Sequence, residues 1–514
     1  MASNLLSLRP MTHRVFAQCL GIGLLLAAPA PGLASAQDDP VLAGYQRFYR
    51  GDKEGARAHF EKLVAASPEK LPARFALLQG LEDASRTDRS LQAQFERQMD
   101  KFIADAEARY GRSNKDDEAL FYLGNAHMVR AAYRFNNDKG MWGAARDGAK
   151  SKRYADAYVK RHPGHADAYF TLGTYNYYVE LAPTFIKVIR PLLFLPSGNR
   201  AEGLKQLERA YTQGSLFSFQ AGMVLMEIYG SFEGRPRDGV RVGEELARAY
   251  PENPSVQFAL AELYLGPAVE DAAKAAAQYE KVIASESKRA QPRPTLFQAQ
   301  LGLASSLFQQ WRGGDSLRVL STTIDARPSA PEWVMPAFLL RRANYRALLG
   351  DAGAVDDVNR VLAEPKWKDR HKSASDLLKW IAQRGENGNA AVYAALIPGN
   401  RLVAEKRWDE AAAAYESVRR DRPNDPQVRY RLATLRFQRG DADGASVLAG
   451  ALAADRTVES WIRSQSLLIV ARAHDLAGRR DEAKRTYKTL VDDFERESAV
   501  WPARVGLVTP YRRP

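Results

Sequence analysis

The chain has 514 residues, carries 74 Lys and Arg against 61 Asp and Glu for a net charge of +13, and is 45% apolar. That is the composition of packed domains, so wholesale disorder is excluded, and the length allows about three domains or one long repeat array. A single cysteine excludes a disulfide framework, a cysteine zinc site and an iron–sulfur cluster.

Residues 1–36 read as a secretory leader. Arg9, His13 and Arg14 form a positive start, Val15 to Ala28 is apolar, and Leu33-Ala34-Ser35-Ala36 ends in small residues, so cleavage before Gln37 is expected. Cys19 stands near the start of the apolar stretch, where a lipid-modified cysteine would stand at its end. Cleavage removes the cysteine and two arginines but no acid. The expected compartment is the periplasm.

The rest of the chain repeats. Gly44 is followed by Gly51-Asp52, Ala56, Phe60 and Pro68. Leu123-Gly124, Leu172-Gly173, Leu260-Ala261 and Leu301-Gly302 mark further helix crossings, and Ala343 precedes the Gly350-Asp351 turn. Ala411 leads to Tyr415 and Pro423, Ala445 follows Gly440-Asp441, and Ala483 leads to Tyr487. Small residues let two helices approach, the aromatic four residues later fills the same face, and proline ends the second helix. Roughly nine helix pairs are expected and no half-buried strand, since strict alternation is missing. Breaks fall at Gln291-Pro292-Arg293-Pro294, at Arg327-Pro328-Ser329-Ala330-Pro331 and at Gly385-Glu386-Asn387-Gly388-Asn389. Beyond Glu497, Trp501-Pro502 and Pro510 predict a loose tail.

This Gly…Ala…aromatic…Pro spacing resembles the tetratricopeptide repeat. The segment Gly173 to Tyr229 holds Tyr175-Asn176-Tyr177-Tyr178, then Ala182-Pro183, Lys187, Arg190-Pro191, Ser197-Gly198-Asn199-Arg200 and Gly203-Leu204. It resembles the central signature of an exported bacterial tetratricopeptide subgroup. More distantly it is similar to the eukaryotic repeat family that includes the yeast inclusion-body clearance protein. Ala182 and Ser197 depart from the pattern. The resemblance implies an all-α, right-handed α-solenoid of antiparallel helix pairs and a role in protein–protein interaction. The expected organisation is a leader at 1–36, an N-terminal solenoid at 37–290 with an insertion at 179–199, middle repeats at 291–385, C-terminal repeats at 386–497 and a tail at 498–514.

Chemistry is sparse. His162-Pro163-Gly164-His165 with Asp167 is the nearest approach to a metal set, but proline and glycine between the histidines predict a turn. No zinc-protease, nucleophile-elbow or phosphate-loop motif is present. Glu497-Ser498 matches the acid pair of exported lytic transglycosylases, yet only 16 residues follow it, too few for their fold. No cofactor or metal is expected.

A solenoid usually binds on its concave face, lined by the first helix of each pair. Asn125 there matches the asparagine of carboxylate-clamp repeats, although Phe121 replaces the clamp lysine; an ordinary helix asparagine is the other reading. Tyr177 and Tyr178 form a candidate aromatic floor, or else pack beneath the insertion. Lys187 and Arg190, in an apolar stretch, either touch a membrane surface peripherally or help cap the solenoid. Acids alternate with bases along most helices, which argues against nucleic acid. The sequence therefore predicts a non-enzymatic periplasmic scaffold whose partner is an envelope protein or peptide. The alternative is a glycan- or polymer-binding component of an envelope export system. Glycan binding predicts exposed Tyr and Trp in one line; scaffolding predicts a compact apolar patch with a charged rim.

Overall fold

The computed structural model describes residues 39–137, 139–180, 196–266, 269–289, 293–326, 330–386, 389–495 and 497–512. The expected leader and the core of the insertion lie outside them. Every regular element among the described residues is helical. The chain begins with α1 (Pro40–Tyr49), α2 (Lys53–Ala66), α3 (Leu71–Thr87), α4 (Gln92–Arg112), α5 (Asp117–Asn136) and α6 (Met141–Arg161). Next come α7 (Ala168–Glu180), α8 (Arg200–Gln213), α9 (Ser218–Glu227), α10 (Pro236–Ala249), α11 (Pro254–Leu265) and α12 (Ala272–Glu286). They are followed by α13 (Pro294–Gln309), α14 (Gly313–Ala326), α15 (Val334–Leu349), α16 (Gly353–Leu362), α17 (Lys368–Glu386) and α18 (Asn389–Ala404). The chain ends with α19 (Trp408–Asp421), α20 (Pro426–Arg439), α21 (Ala442–Ala454), α22 (Ser460–Leu476), α23 (Arg480–Asp493) and α24 (Val500–Val508).

One joint recurs between the two helices of a pair. Gly440 N–H donates to Phe437 O and Asp441 N–H to Arg436 O, with Gly440 at φ +109°. The same two bonds and a positive φ recur at Gly51, Trp311, Gly350, Lys406 and Gly478. This left-handed cap satisfies the last carbonyls of the first helix and reverses the chain. The next aspartate then starts the second helix: Asp52 accepts from Gly55 N–H and Asp441 from Gly444 N–H, both at 2.8 Å.

Helix crossings rest on small residues. A Cβ on Gly44 would lie 2.6 Å from the Phe60 ring. Tyr279, Tyr415 and Tyr487 are met in the same way by Gly302, Gly399 and Gly506. The closest crossing joins α7 to α8, where a Cβ on Gly203 would stand 2.6 Å from Tyr177 N and 2.8 Å from Gly173 O. Two glycines of the central signature thus exist so that backbone meets backbone.

The described chain holds eleven pairs, with α17 and α24 outside the pairing. The two pairs not expected from sequence are α3 with α4 and α9 with α10. Helix α9 is buried on every side from Ser218 to Met226, so it shows no amphipathic period. The expected loose tail is corrected: α24 forms, and Ala499, Val500 and Ala503 are buried. Pro502 lies in its first turn, where the missing N–H has no intrahelical partner to lose. Arg480 holds the far end by donating to Gly506 O at 2.7 Å and Leu507 O at 3.1 Å.

The chain divides into two compact units. Within the described residues, the N-terminal unit runs to Tyr229 and adds Asp238–Val256; the C-terminal unit is Gly230–Arg237 with Gln257 onward. In the N-terminal unit the first helix meets the last ones. Asn253 Nδ2 donates to Tyr49 O at 2.8 Å, Tyr49 stacks on Phe219 at 5.4 Å, and the Tyr49 hydroxyl donates to Leu216 O at 3.2 Å. Phe121 stacks on Phe217 and Phe170 lies beside it. The interior of this unit is filled with rings. In the C-terminal unit the turn at Gly234 lies beside Val505 of α24.

Candidate functional site

The predicted concave residues of the N-terminal unit are interior. Asn125, Tyr177 and Tyr178 are all buried. Asn125 Nδ2 donates to Phe121 O at 2.8 Å, and its Oδ1 accepts from Thr171 Oγ1 at 2.6 Å, so the residue ties α5 to α7. Tyr177 meets Tyr178 edge-on and lies under the Arg200 guanidinium. Lys187 and Arg190 lie outside the described residues. The histidines of the turn face different partners: His162 Nε2 is 2.7 Å from Asp117, while His165 Nδ1 shares a 2.7 Å hydrogen bond with the Tyr158 hydroxyl. Asp167 accepts from Phe217 N–H at 2.6 Å and from Ser215 N–H and Oγ at 3.1 Å, pinning the α8–α9 turn. No group of three or more His, Cys, Asp or Glu could hold a metal among the described residues.

The charges of this unit are closed on one another. Asp147, 4% exposed, lies 2.8 Å from His127 Nδ1, 2.6 Å from Arg130 and 2.5 Å from Arg134. Burial alone would raise its carboxyl, but hydrogen bonds from His127 and Arg130 and the charge of both arginines hold it below the ordinary range. Burial lowers the His127 imidazole, so it stays neutral and donates Nδ1–H to Asp147. A cleft of about 430 Å³ between α8 and α10 is lined by Lys205, Glu208, Tyr211, Tyr229 and Arg241. Its hydroxyls are taken, with Tyr229 bonded to Glu208 and Tyr211 to Glu245.

The C-terminal unit differs. Many of its arginines are paired: Arg342 and Arg346 with Asp357, Arg407 with Glu410, Arg419 with Glu416 and Arg480 with Asp475. Others on first helices lie on rings or bond carbonyls instead: Arg463 lies over Phe494 and donates to Ala453 O, and Arg401 donates to Trp311 O. Three further ring-backed arginines lie on first helices. Arg341 lies 5.8 Å from the Tyr345 ring centre, Arg431 lies 5.1 Å from Trp311 and 5.3 Å from Tyr430, and Arg472 lies 4.8 Å from Tyr511. A guanidinium over a ring is attracted by the ring's negative face and is held flat. Arg341 and Arg431 share one register, each nine residues before a left-handed glycine, Gly350 and Gly440.

The rings form a connected wall. Tyr345 stacks on Phe308 at 4.0 Å, and Trp311 sits three residues further on. Trp311 adopts φ +61°, a conformation costly for a bulky side chain, and its carbonyl accepts from Arg401 Nε at 2.9 Å. Glu262 accepts a hydrogen bond from the Tyr279 hydroxyl. Both Glu262 and Glu270 are exposed residues whose carboxyls are raised by the surrounding protein, against the opposing charge of Arg341 and Arg472 respectively. None of these residues stands out in the sequence as a site. The adjacency of Tyr430 and Arg431, the spacing of Arg341 and Tyr345, and the shared register were the available signals.

Residues 402–468, from the end of α18 into α22, match the family model for the tetratricopeptide repeat. That stretch carries tetratricopeptide repeats. The described chain is the all-α array of helix pairs expected from sequence. No curated protein sequence matches the chain. Among solved structures it is similar to the human IFIT1 dimer with m7Gppp-AAAA, at 12% identity and TM-score 0.35, covering 81% of this chain and 95% of that one. It is also similar to yeast Tom70, at 13% identity and TM-score 0.30, covering 90% of this chain and 93% of that one.

Proposed function

We propose that this tetratricopeptide chain is a non-enzymatic adaptor of the bacterial cell envelope, exported by residues 1–36 and holding a partner protein on the C-terminal unit. The observation that carries the reading is the set of ring-backed arginines without ion-pair partners on three first helices, α15, α20 and α22. Guanidiniums held flat on rings lose little freedom on binding and are typical interface anchors. The large apolar side chains exposed among the described residues are Met141, Trp142, Val355, Val447 and Val508. They make neither the aromatic line of a glycan binder nor one compact apolar patch, which leaves the arginine wall as the distinctive surface.

Crosslinking pull-down of the tagged, processed protein from native periplasm and membranes tests this. One dominant envelope protein, lost with Arg431→Glu/Arg472→Glu, is the expected result. Retention on peptidoglycan or polysaccharide with no protein partner overturns it in favour of the glycan-binding alternative. Mass measurement of the exported protein checks the address: a chain starting at Gln37 is expected, and a cytoplasmic, unprocessed chain contradicts it.

A further inference from the structure

We infer that the inner wall of the C-terminal unit recognises an Asp/Glu-rich polypeptide segment through Arg341, Arg431 and Arg472. The inference rests on the adaptor reading and supplies the chemistry of the partner.

Two observations combine. First, among the described residues Arg341, Arg431 and Arg472 have no carboxylate at ion-pair distance; Arg341 Nη1 donates to the neutral Ser305 Oγ at 2.5 Å and Tyr345 hydroxyl at 3.3 Å. The guanidinium fork is shaped to bind a carboxylate through two parallel hydrogen bonds. Second, the rings are already engaged. Tyr345 is stacked on Phe308, Trp311 carries Arg431 and packs beside Tyr393, and Tyr430 meets Trp461 edge-on. They present little free face to a base or a sugar, so the wall offers guanidinium forks and not stacking platforms.

The wall selects side-chain carboxylates of an extended chain. Arg341 and Arg431 lie at equivalent positions of different repeats, and Arg472 lies three residues past the equivalent position, Ile469, of the next. Acids spaced along a strand-like segment therefore meet successive forks, and no chain terminus is needed.

The test uses the full processed chain and a fluorescent Asp/Glu-rich peptide, acetylated and amidated so that it has no terminal charge. Its Asn/Gln counterpart and a single-stranded DNA oligonucleotide of equal charge are the comparison probes. The acidic peptide is expected to bind, more weakly as salt rises, and the Asn/Gln peptide not to bind. Arg431→Gln/Arg472→Gln is expected to weaken binding at least about tenfold. Unchanged circular dichroism and melting temperature show that the variants fold. No binding of the acidic peptide, or equal or tighter binding of the oligonucleotide, overturns the inference. If the pull-down yields a protein partner but acidic peptides do not bind, this inference fails and the adaptor reading stands. If peptides bind but no partner is captured, the adaptor reading fails.

Discussion

In the N-terminal unit Asp147 is held by His127, Arg130 and Arg134, and Asp167 by the backbone and side chain of one turn. In the C-terminal unit several arginines lean on rings. The Asp147 and Asp167 carboxyls are lowered, whereas desolvation raises those of Glu262 and Glu270. Neither unit is uniform: burial raises Glu82 in the first, and hydrogen bonds lower Asp315, Glu410 and Asp455 in the second. The contrast separates charge that builds a core from charge held ready for a partner. A filled interior favours charges satisfied from within, whereas an open wall can leave its guanidiniums to water or a ligand.

The sharpest way to break this contrast is to remove one charge from each unit. Asp147→Ala leaves two arginines and a buried histidine without their acceptor, and a loss of about 4 kcal/mol is expected in urea denaturation. Arg472→Ala removes only a ring contact at a solvated wall and should cost less than about 1 kcal/mol. Similar losses would show that the wall is structural.

Next in size is Gly203→Ala. Its methyl group would meet backbone atoms of α7, and a loss of about 3 kcal/mol is expected. Gly450→Ala, with nothing within 4 Å, is the control and should be neutral or stabilising by up to about 1 kcal/mol.

The pH response should differ between the units. Asp147 and Asp167, lowered in the folded chain, contribute stability above the ordinary aspartate value of 3.8 that is lost as pH falls through their folded values. Glu262 and Glu270, raised above 4.5, contribute stability that is complete below that value and lost as pH rises through their folded values. Hydrogen exchange from pH 7 toward 5, corrected for intrinsic rates, should show protection held in the N-terminal unit and rising around α11 and α12. Falling protection at α11 and α12 would reverse the sign.

The smallest effect concerns the joints. Lys406→Gly relieves a left-handed cost of about 1–2 kcal/mol but loses roughly 0.5–1 kcal/mol to unfolded-chain entropy. A net gain of about 0.5 kcal/mol, read as a raised melting temperature, is expected at φ +60°.

Much of the fold was legible because repeat packing is local. Gly44 with Phe60 and Ala411 with Tyr415 announce a helix crossing within a few turns of chain, and Gly-Asp announces the joint. Helices α3 and α4 were missed because the Asp88–Leu91 turn lengthens the link and Thr87-Asp88 replaces the Gly-Asp joint. Helix α24 was missed because Pro502 reads as a breaker unless its place in the first turn is known. The expected concave residues illustrate a different limit. Position in a repeat places Asn125 and Tyr177 on the inner side of their helices, but only the return of α9 and α10 onto α1 reveals that this side is filled.

The sequence by itself determined the helix pairs, their joints and the small-residue crossings, since each depends on residues a few turns apart. The tertiary structure alone decided which arginines find carboxylates. Arg342 meets Asp357 on the neighbouring helix, whereas Arg431 meets Trp311, distant in the chain and brought near only by the packing of non-neighbouring helices. Electrostatic partnership depends on distance in space, and a one-dimensional charge pattern does not fix that distance.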